Sequence, residues 1–387
     1  MTEAGKLRRS VYIVSFSYSV QFGLLLFFNS SFLLDRGFTD QGIGLVFAAG
    51  YALAILLLLL IPRLLPLFGD RYLFTGGLLF ASVLFFAIAS STGLAPVAVM
   101  LPVALALSMA MYVLLDILLQ TVSADPDKIG GRRGLMATLT NGAYIVAQFL
   151  AVFLLARGPF SILYTVTAAM LIPLAALGFI LFRRFRDAAY EKPRFGGVFR
   201  HLAESADLRR VFMIQFLLRL FYSIMIVYTP VYLHEHVGLT LAEMGTVFAV
   251  MLLPFLLFEV LIGKLEDTRW GEQEVLLAGF VIIAASTAAI AATDSTSVLV
   301  WGAALFMTRV GAVCLDIGSE AYFFKHVTGK EAGEVSSFRM LYPAAYIVGP
   351  LTAVGLLFIL PLGALFVALG AVMLLGILPT IALRDTR

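Results

Sequence analysis

The chain has 387 residues, of which 61% are hydrophobic and only 13% are charged, a composition that excludes an ordinary soluble domain and indicates a polytopic membrane protein. Its net charge of +3 gives no reason to expect binding to nucleic acid. With one cysteine, Cys314, the chain can form neither an internal disulfide nor a cysteine-ligated zinc cluster.

Twelve apolar segments of membrane-spanning length follow one another, separated by short polar connections. The first is longer than the core of a cleavable signal peptide, so we expect it to remain as a span. The predicted spans cover 11–34, 43–61, 73–92, 97–120, 134–156, 160–182, 211–233, 244–262, 273–292, 298–324, 336–359 and 361–383. This pattern predicts an all-α polytopic membrane protein with 12 transmembrane helices.

A long polar connection divides these spans into two groups of six. We therefore predict an N-terminal six-helix half at 1–182, a cytoplasmic linker at 183–210, and a C-terminal six-helix half at 211–387. Three apolar residues of the linker predict a short amphipathic helix on the membrane surface: Val198, Phe199 and Leu202.

The two halves repeat one another in sequence. Three segments of the first half recur in the second at offsets of 200 to 202 residues: 44–48 and 245–249, 115–117 and 315–317, 144–146 and 346–348. The repeat predicts two pseudo-symmetric six-helix bundles in parallel register, an arrangement that in transporters holds a binding site near the midplane.

The basic residues predict the orientation of the chain in the membrane. Of the 27 Lys and Arg residues, 22 lie in the two tails and in the loops on the same side as the tails. The opposite side has only Arg36 and Arg157. By the positive-inside rule both termini are cytoplasmic, and we expect an integral protein of a bacterial-type inner (plasma) membrane.

The tenth span carries three ionisable residues on one helical stripe: Arg309, Asp316 and Glu320. At about 100° per residue, the steps from Arg309 to the two acids return to within roughly 20° of the same face. A charge near the centre of a span costs at least about 2.5 kcal/mol in lipid, so we expect the stripe to face protein or a water-filled cavity.

The carboxylates of the spans are candidates for proton coupling. Asp316 is the first candidate, because a cavity and a neighbouring arginine can make a carboxylate easier or harder to protonate. Asp116 is its repeat mate in span 4. Glu320 and Glu259, near the cytoplasmic ends of spans 10 and 8, are further candidates. Alternatively, the two aspartates anchor helix ends to basic loops, and Glu320 is a gate or snorkelling charge.

Span 7 places Gln215, Arg219 and Tyr222 on one face, at steps of four and three residues. Arg219 lies roughly 13 Å from the cytoplasmic basic pair at 1.5 Å per residue. A guanidinium at that depth can bind a carboxylate or phosphate of a solute in bidentate fashion. The alternative is a structural ion pair with Asp316 or Glu320.

The first half offers neutral polar groups instead of charges. Asn141, Tyr144 and Gln148 share a face of span 5, and Gln21 interrupts span 1. These side chains suit the hydroxyl and amide groups of a solute, and the alternative is that they join helix to helix. Together with the span 7 residues and Arg309 they form our predicted pocket for a small polar or anionic organic solute.

Motifs for catalysis or nucleotide binding are not found. The sequence has no phosphate-binding loop, Gly-x-Ser-x-Gly elbow or His-Glu-x-x-His site. We therefore expect no enzyme activity, no cofactor and no metal site. The expected partners are a small-molecule substrate, protons and the lipid bilayer, without nucleic acid, for a chain that acts as a monomer.

The loop after span 8 resembles the loop motif of the major facilitator superfamily. The matching residues are Gly263, Asp267, Arg269 and Gly271, with one extra residue before the last glycine. The resemblance implies a cytoplasmic gate in which Asp267 pairs with an arginine, for which Arg339 in span 11 is suited. In the equivalent first-half loop, prolines replace the motif Gly and Asp, and Asp70 with Arg71 can supply a shifted charge pair.

The resemblance implies a secondary transporter that works by alternating access of its two halves, with proton coupling favoured over sodium. The proline-glycine pattern of the superfamily's antiporters is not evident in span 5. An efflux pump for amphipathic compounds is the alternative within the class. A non-transporting membrane scaffold or receptor on the same fold is the alternative from another class.

Overall fold

A computed structural model describes residues 3–121, 129–184, 205–326 and 332–384, and within these ranges the chain forms helices and turns and no strand. It divides into two compact units, Met1–Lys192 and Pro193–Arg387. The linker residues for which an amphipathic helix was predicted lie outside the described ranges.

The first unit contains α1 (Glu3–Leu26), α2 (Asn29–Asp35), α3 (Asp40–Ser90), α4 (Leu94–Thr121), α5 (Ile129–Leu155) and α6 (Ser161–Leu181). The second unit contains α7 (Ala206–Glu235), α8 (Leu241–Thr268), α9 (Glu272–Ile290), α10 (Val298–His326), α11 (Ala332–Leu356), α12 (Leu362–Leu374) and α13 (Ile377–Ile381).

Ten helical segments of the described chain are long and apolar enough to cross a membrane. One of them is the 51-residue α3, which has a non-helical residue at Gly69 and therefore covers predicted spans 2 and 3. Helix α11 corresponds to predicted span 11. The described residues thus account for every predicted span, and the all-α polytopic fold is confirmed.

The helix ends differ from the sequence prediction at three places. The first span is interrupted by a turn at Phe27–Phe28, and the last at Leu375–Gly376. The connection predicted after residue 61 is helical up to Gly69, with Pro62 and Pro66 inside the helix. Hydropathy does not mark this helix end, because a helix can continue beyond its apolar segment. The backbone groups that the two prolines leave without a helical hydrogen bond can be satisfied locally.

Gly69 makes the turn between the second and third spans. Its φ of 75° and ψ of 156° lie in a region that is essentially restricted to glycine. We expect Gly69→Ala to destabilise the purified protein by about 1 to 3 kcal/mol, measured as a lower melting temperature in detergent. The control is Gly76→Ala, where an added Cβ meets no atom within 4 Å. Equal losses in the two variants would contradict backbone strain as the cause.

Equivalent threonines begin the second span of each half. Thr39 precedes α3, and its hydroxyl accepts a hydrogen bond from the amide of Gly42 at 3.1 Å. Thr240 precedes α8 and accepts one from the amide of Glu243 at 3.3 Å, while the Glu243 carboxylate accepts from the Thr240 amide at 2.8 Å. Both caps satisfy amides that a helix start leaves unpaired. The repeated threonines therefore cap equivalent helices in both units.

The same scheme of helix packing occurs inside each unit. In the first, α1 packs on α5, and α3 packs on both α4 and α6. In the second, α7 packs on α11, α8 on α10, and α9 on both α10 and α12. Helices α7 and α10 are also in contact. These two helices carry the polar face predicted for span 7 and the charged stripe predicted for span 10.

Candidate functional site

An ion pair joins α7 to α10 within the second unit. The Nη2 atom of Arg219 donates to Oδ1 of Asp316 at 2.8 Å, and it lies 3.9 Å from Oε1 of Glu320. Asp316 and Glu320 are one helical turn apart on α10, so a single guanidinium contacts both. Arg219 therefore has the structural ion pair that was the alternative to direct solute contact, and its role toward a solute stays a prediction.

Gln215 and Ser319 support this pair. With the Gln215 amide oxygen oriented toward Arg219, it accepts from Nε at 3.2 Å and from Nη2 at 2.7 Å, and the amide nitrogen donates to the Ser319 hydroxyl at 2.9 Å. Ser319 in turn donates to the Leu315 carbonyl at 2.6 Å. We assign this orientation because it gives every donor an acceptor. The guanidinium is thus held in place from two helices.

Arg309 lies on the same face of α10 and has a different environment. Its side chain is 2% exposed, and its guanidinium carbon lies 5.2 Å from the ring centroid of Phe221 and 5.3 Å from that of Tyr222. The Nη1 atom is buried and has no hydrogen-bond partner in the part of the chain that the structure describes. Within the described residues, Arg309 has no carboxylate within 4.0 Å.

Tyr222 stands between the two arginines. Its ring centroid is 5.7 Å from the guanidinium carbon of Arg219 and 5.3 Å from that of Arg309. The ring also contacts Phe255 of α8 at 6.3 Å between centroids. The Tyr222 hydroxyl is buried and has no hydrogen-bond partner among the described residues. Two polar atoms without a partner among the described residues, this hydroxyl oxygen and Nη1 of Arg309, therefore belong to side chains that contact one another.

The other acids predicted for coupling have separate positions. Glu259 of α8 has a buried Oε2 atom for which the described residues provide no hydrogen-bond partner. The Glu320 side chain is 53% exposed, which agrees with a position near the end of α10. Asp116, the repeat mate of Asp316, is half-buried on α4 in the first unit.

The neutral residues predicted from the first half contact the first span. Gln148 of α5 is fully buried and donates from Nε2 to the Gly23 carbonyl at 2.9 Å, which is the helix-to-helix alternative. Tyr144 lies 6.0 Å from the ring of Phe22 between centroids. The Gln21 side chain is 1% exposed, with Oε1 unpaired among the described residues, and Asn141 is half-buried.

The contact between the first and fourth spans of each half differs in chemistry between the two units. Where α7 and α10 share the ion pair, α1 and α4 share a neutral hydrogen bond from the Tyr18 hydroxyl to the Ser108 carbonyl at 2.6 Å. Tyr18 is the repeat equivalent of Arg219 at the offset of 201. Charge is thus concentrated in the second unit at a contact that both units possess.

The residues of the predicted gate lie in α8, in α11 and at the junction of α8 and α9. Arg269 and Arg339 are exposed, and Gly271 immediately precedes α9, its amide donating to the Glu274 carboxylate at 2.9 Å. Gly263 lies inside α8, where an added Cβ would meet no atom within 4 Å. The side chain of Asp267 lies outside what the structure describes, so its pairing with Arg339 stays a prediction.

The equivalent first-half charges follow Gly69 directly. Asp70 is buried, with 1% of its surface exposed. Arg71 stacks on Phe179 of α6, with its guanidinium carbon 3.4 Å from the ring centroid. The two neighbours therefore have different surroundings, and Arg71 contributes a contact between α3 and α6.

Sequence reasoning missed Ser319 and Phe221 as members of the charged cluster. Ser319 lies three residues after Asp316, so the period of the helix could have placed it on the charged stripe. Phe221 carried no signal, because one phenylalanine among 33 is not distinctive. Within the described ranges, no three His, Cys, Asp or Glu side chains are grouped so as to hold a metal ion.

The chain matches a known family in sequence and several solved structures in fold. The sequence profile of the Major Facilitator Superfamily matches residues 11–339 and 211–387. No curated protein sequence matches the chain. Among solved structures, that of the nucleoside transporter NupG has a TM-score of 0.78 at 14% identity, covering 97% of this chain and 98% of its own.

Two further solved structures are similar over nearly the whole chain. A bacterial homologue of the human lysosomal transporter Spinster has a TM-score of 0.71 at 11% identity, covering 99% of this chain and 96% of its own. A bacterial homologue of the iron transporter ferroportin has a TM-score of 0.70 at 16% identity, covering 99% of each chain. At such identities the likeness concerns the fold.

Proposed function

The chain belongs to the Major Facilitator Superfamily, and we propose that it is a secondary active transporter that moves a small polar or anionic organic solute by alternating access, coupled to protons. The observation that carries the proposal is the cluster on α7 and α10, where Arg219, Asp316 and Arg309 lie inside membrane-spanning helices. Ionisable groups at such positions are costly, and their usual purpose is a solute or ion pathway.

The polar groups of the two halves suit a solute with mixed chemistry. The second half offers two guanidinium groups and the Tyr222 hydroxyl. The first half offers the amides predicted from sequence, of which Gln21 has an unpaired buried oxygen among the described residues. An anionic group of a solute suits the guanidinium groups of the second half, and hydrogen-bonding groups suit the amides predicted in the first half.

Proton coupling rests on Asp316. Its carboxylate is bound by Arg219, with Glu320 on the same face of α10 and the Tyr222 ring beside Arg219. Glu259 of α8 is the other acid near this cluster, and it interacts electrostatically with Asp316. Protonation of Asp316 would remove the charge that holds Arg219, so that binding of a proton would change the contacts between α7 and α10.

We expect Asp316→Asn to uncouple solute flux from an imposed pH gradient in proteoliposomes. The solute is first identified by a thermal-shift screen of the purified protein against metabolites and drugs, since a ligand of the native state raises the melting temperature. Asp207→Asn is the control, because Asp207 pairs with Arg210 in the first turn of α7. If the gradient drives flux in Asp316→Asn as in the wild type, Asp316 has no coupling role.

The proposal also includes the cellular setting. We place the protein in a bacterial-type inner membrane as a monomer with both termini in the cytoplasm, on the distribution of Lys and Arg along the sequence. Its partners would be the solute, protons and lipid. A membrane scaffold would tolerate neutral substitutions at Arg219, Arg309 and Asp316 without functional loss, whereas a transporter would lose flux in each.

A further inference from the structure

We infer that Arg309 and the Tyr222 hydroxyl bind an oxyanion group of the solute, so that the transported molecule is an organic anion such as a carboxylate. This inference rests on the proposed transport function and names its class of substrate. It depends on three features of the second unit: the burial of Arg309 without a described carboxylate, the pairing of the nearby acids with Arg219, and the aromatic contacts of Arg309.

Arg309 carries a buried positive charge for which the described residues provide no carboxylate. It is 2% exposed, and its Nη1 atom has no hydrogen-bond partner within the described ranges. Buried charged groups are generally paired and hydrogen-bonded, because an unpaired one loses its hydration without compensation. A residue retained in this state is better suited to a charge that arrives with a ligand than to holding the fold together.

The acids on the same stripe of α10 are already engaged. Asp316 accepts from Arg219 at 2.8 Å, and Glu320 lies 3.9 Å from the same Nη2 atom. Gln215 further holds Arg219 in this position. Because Arg219 takes both acids, the negative charge that would balance Arg309 does not come from the α10 stripe.

The aromatic contacts of Arg309 leave its Nη1 donor without an acceptor among the described residues. The rings of Phe221 and Tyr222 contact it through cation–π interactions at 5.2 and 5.3 Å. Such contacts use the positive charge without satisfying the N–H donors, which form a planar fork that matches a carboxylate or phosphate. The hydroxyl of Tyr222, one of the two residues that contact Arg309 through their rings, is a second buried donor without a hydrogen-bond partner among the described residues.

The first test needs no ligand. We compare the melting temperatures of Arg309→Met, Arg219→Met and Arg157→Met in the full-length protein in detergent. Arg157 is the matched control, since it is exposed and also stacks on a phenylalanine, with 3.5 Å to the Phe153 centroid. We expect Arg309→Met to melt higher than the wild type by about 2 °C, Arg219→Met to melt lower, and Arg157→Met to remain unchanged.

A fall in melting temperature for Arg309→Met as large as that for Arg219→Met would overturn the inference, because it would mean that Arg309 has a partner within the protein. A rise would support it, since removing an uncompensated buried charge relieves a cost that only a bound anion offsets. This comparison is independent of any transport measurement.

The second test uses pairs of carboxylic acids and their primary amides, beginning with benzoate and benzamide and extending to metabolite acids. In proteoliposomes, we expect the wild type to take up acids and not their amides, Arg309→Met to lose that uptake, and Arg157→Met to keep it. Uptake of amides by the wild type, or of acids by Arg309→Met, would overturn the inference and leave transport intact. If the wild type takes up no compound, the proposed function is contradicted instead. The melting comparison then still shows whether Arg309 has a partner within the protein.

Discussion

Arg219→Met should lower the free energy of unfolding by about 3 kcal/mol, because it leaves the Asp316 carboxylate in a membrane helix without its partner. The estimate is at the low end of the range for broken buried pairs, since the side chains of Arg219 and Asp316 are 18% and 29% exposed. The measurement is chemical or thermal denaturation of the detergent-solubilised protein. Asp316→Leu alone should also destabilise, although less, because Gln215 and Glu320 remain for Arg219.

The double variant Arg219→Met/Asp316→Leu isolates the pair. Replacing a buried ion pair by apolar side chains is often neutral, so the double variant should recover most of the stability that Arg219→Met loses. Arg210→Met is the control on the same helix, since its pair with Asp207 at 2.5 Å is near the helix start and should be worth only about 0.5 kcal/mol. Additive losses in the double variant would show that the two residues do not stabilise one another.

Gly311→Ala should destabilise the second unit by about 2 kcal/mol. An added Cβ at Gly311 would lie 2.6 Å from the backbone nitrogen of Ile283 and 2.9 Å from the Gly279 carbonyl oxygen, so the α9 backbone itself would have to move. Overpacking of this kind typically costs about 1 to 3 kcal/mol, and better helix propensity of alanine returns less than about 1 kcal/mol. Small residues at helix crossings allow the close approach that membrane helices need.

Gly302→Ala provides the matched control for Gly311→Ala on the same helix. Its nearest neighbour would be Val250 at 3.4 Å, which is an ordinary contact. We expect Gly302→Ala to retain the wild-type melting temperature and a single monodisperse peak in size-exclusion chromatography, and Gly311→Ala to lose both in part. Similar behaviour of the two variants would mean that the crossing of α9 and α10 can open without cost.

The spans, the repeat and the family were all predicted from sequence. Hydropathy located every span, because a helix that faces lipid must be apolar over its whole crossing. The motif at 263–271 indicated the family that the sequence profile then confirmed across both halves. What hydropathy missed was local: the break at Phe27–Phe28 and the turn at Gly69 depend on backbone angles at single residues, which leave no mark on a window average.

The candidate site, like the fold, was predicted from sequence only in part. That Arg219, Arg309 and Asp316 would lie on inward faces followed from their period along two helices and from the cost of charge in lipid. The sequence left open whether Arg219 meets a solute or an acid of the protein. The structure pairs Arg219 with Asp316 and gives Arg309 aromatic surroundings instead.

The sequence by itself determined the kind of protein, its number of spans, its internal repeat and the stripes on which charge occurs. Each of these is a property of residues near one another along the chain, where hydropathy and helical period act. Only the tertiary structure decided which charge is neutralised and which remains available. That choice depends on distances of about 3 to 4 Å between residues on separate helices, because hydrogen bonds and ion pairs act only at such range. Arg219 reaches Asp316 across the contact of α7 and α10, and Arg309 reaches aromatic rings instead.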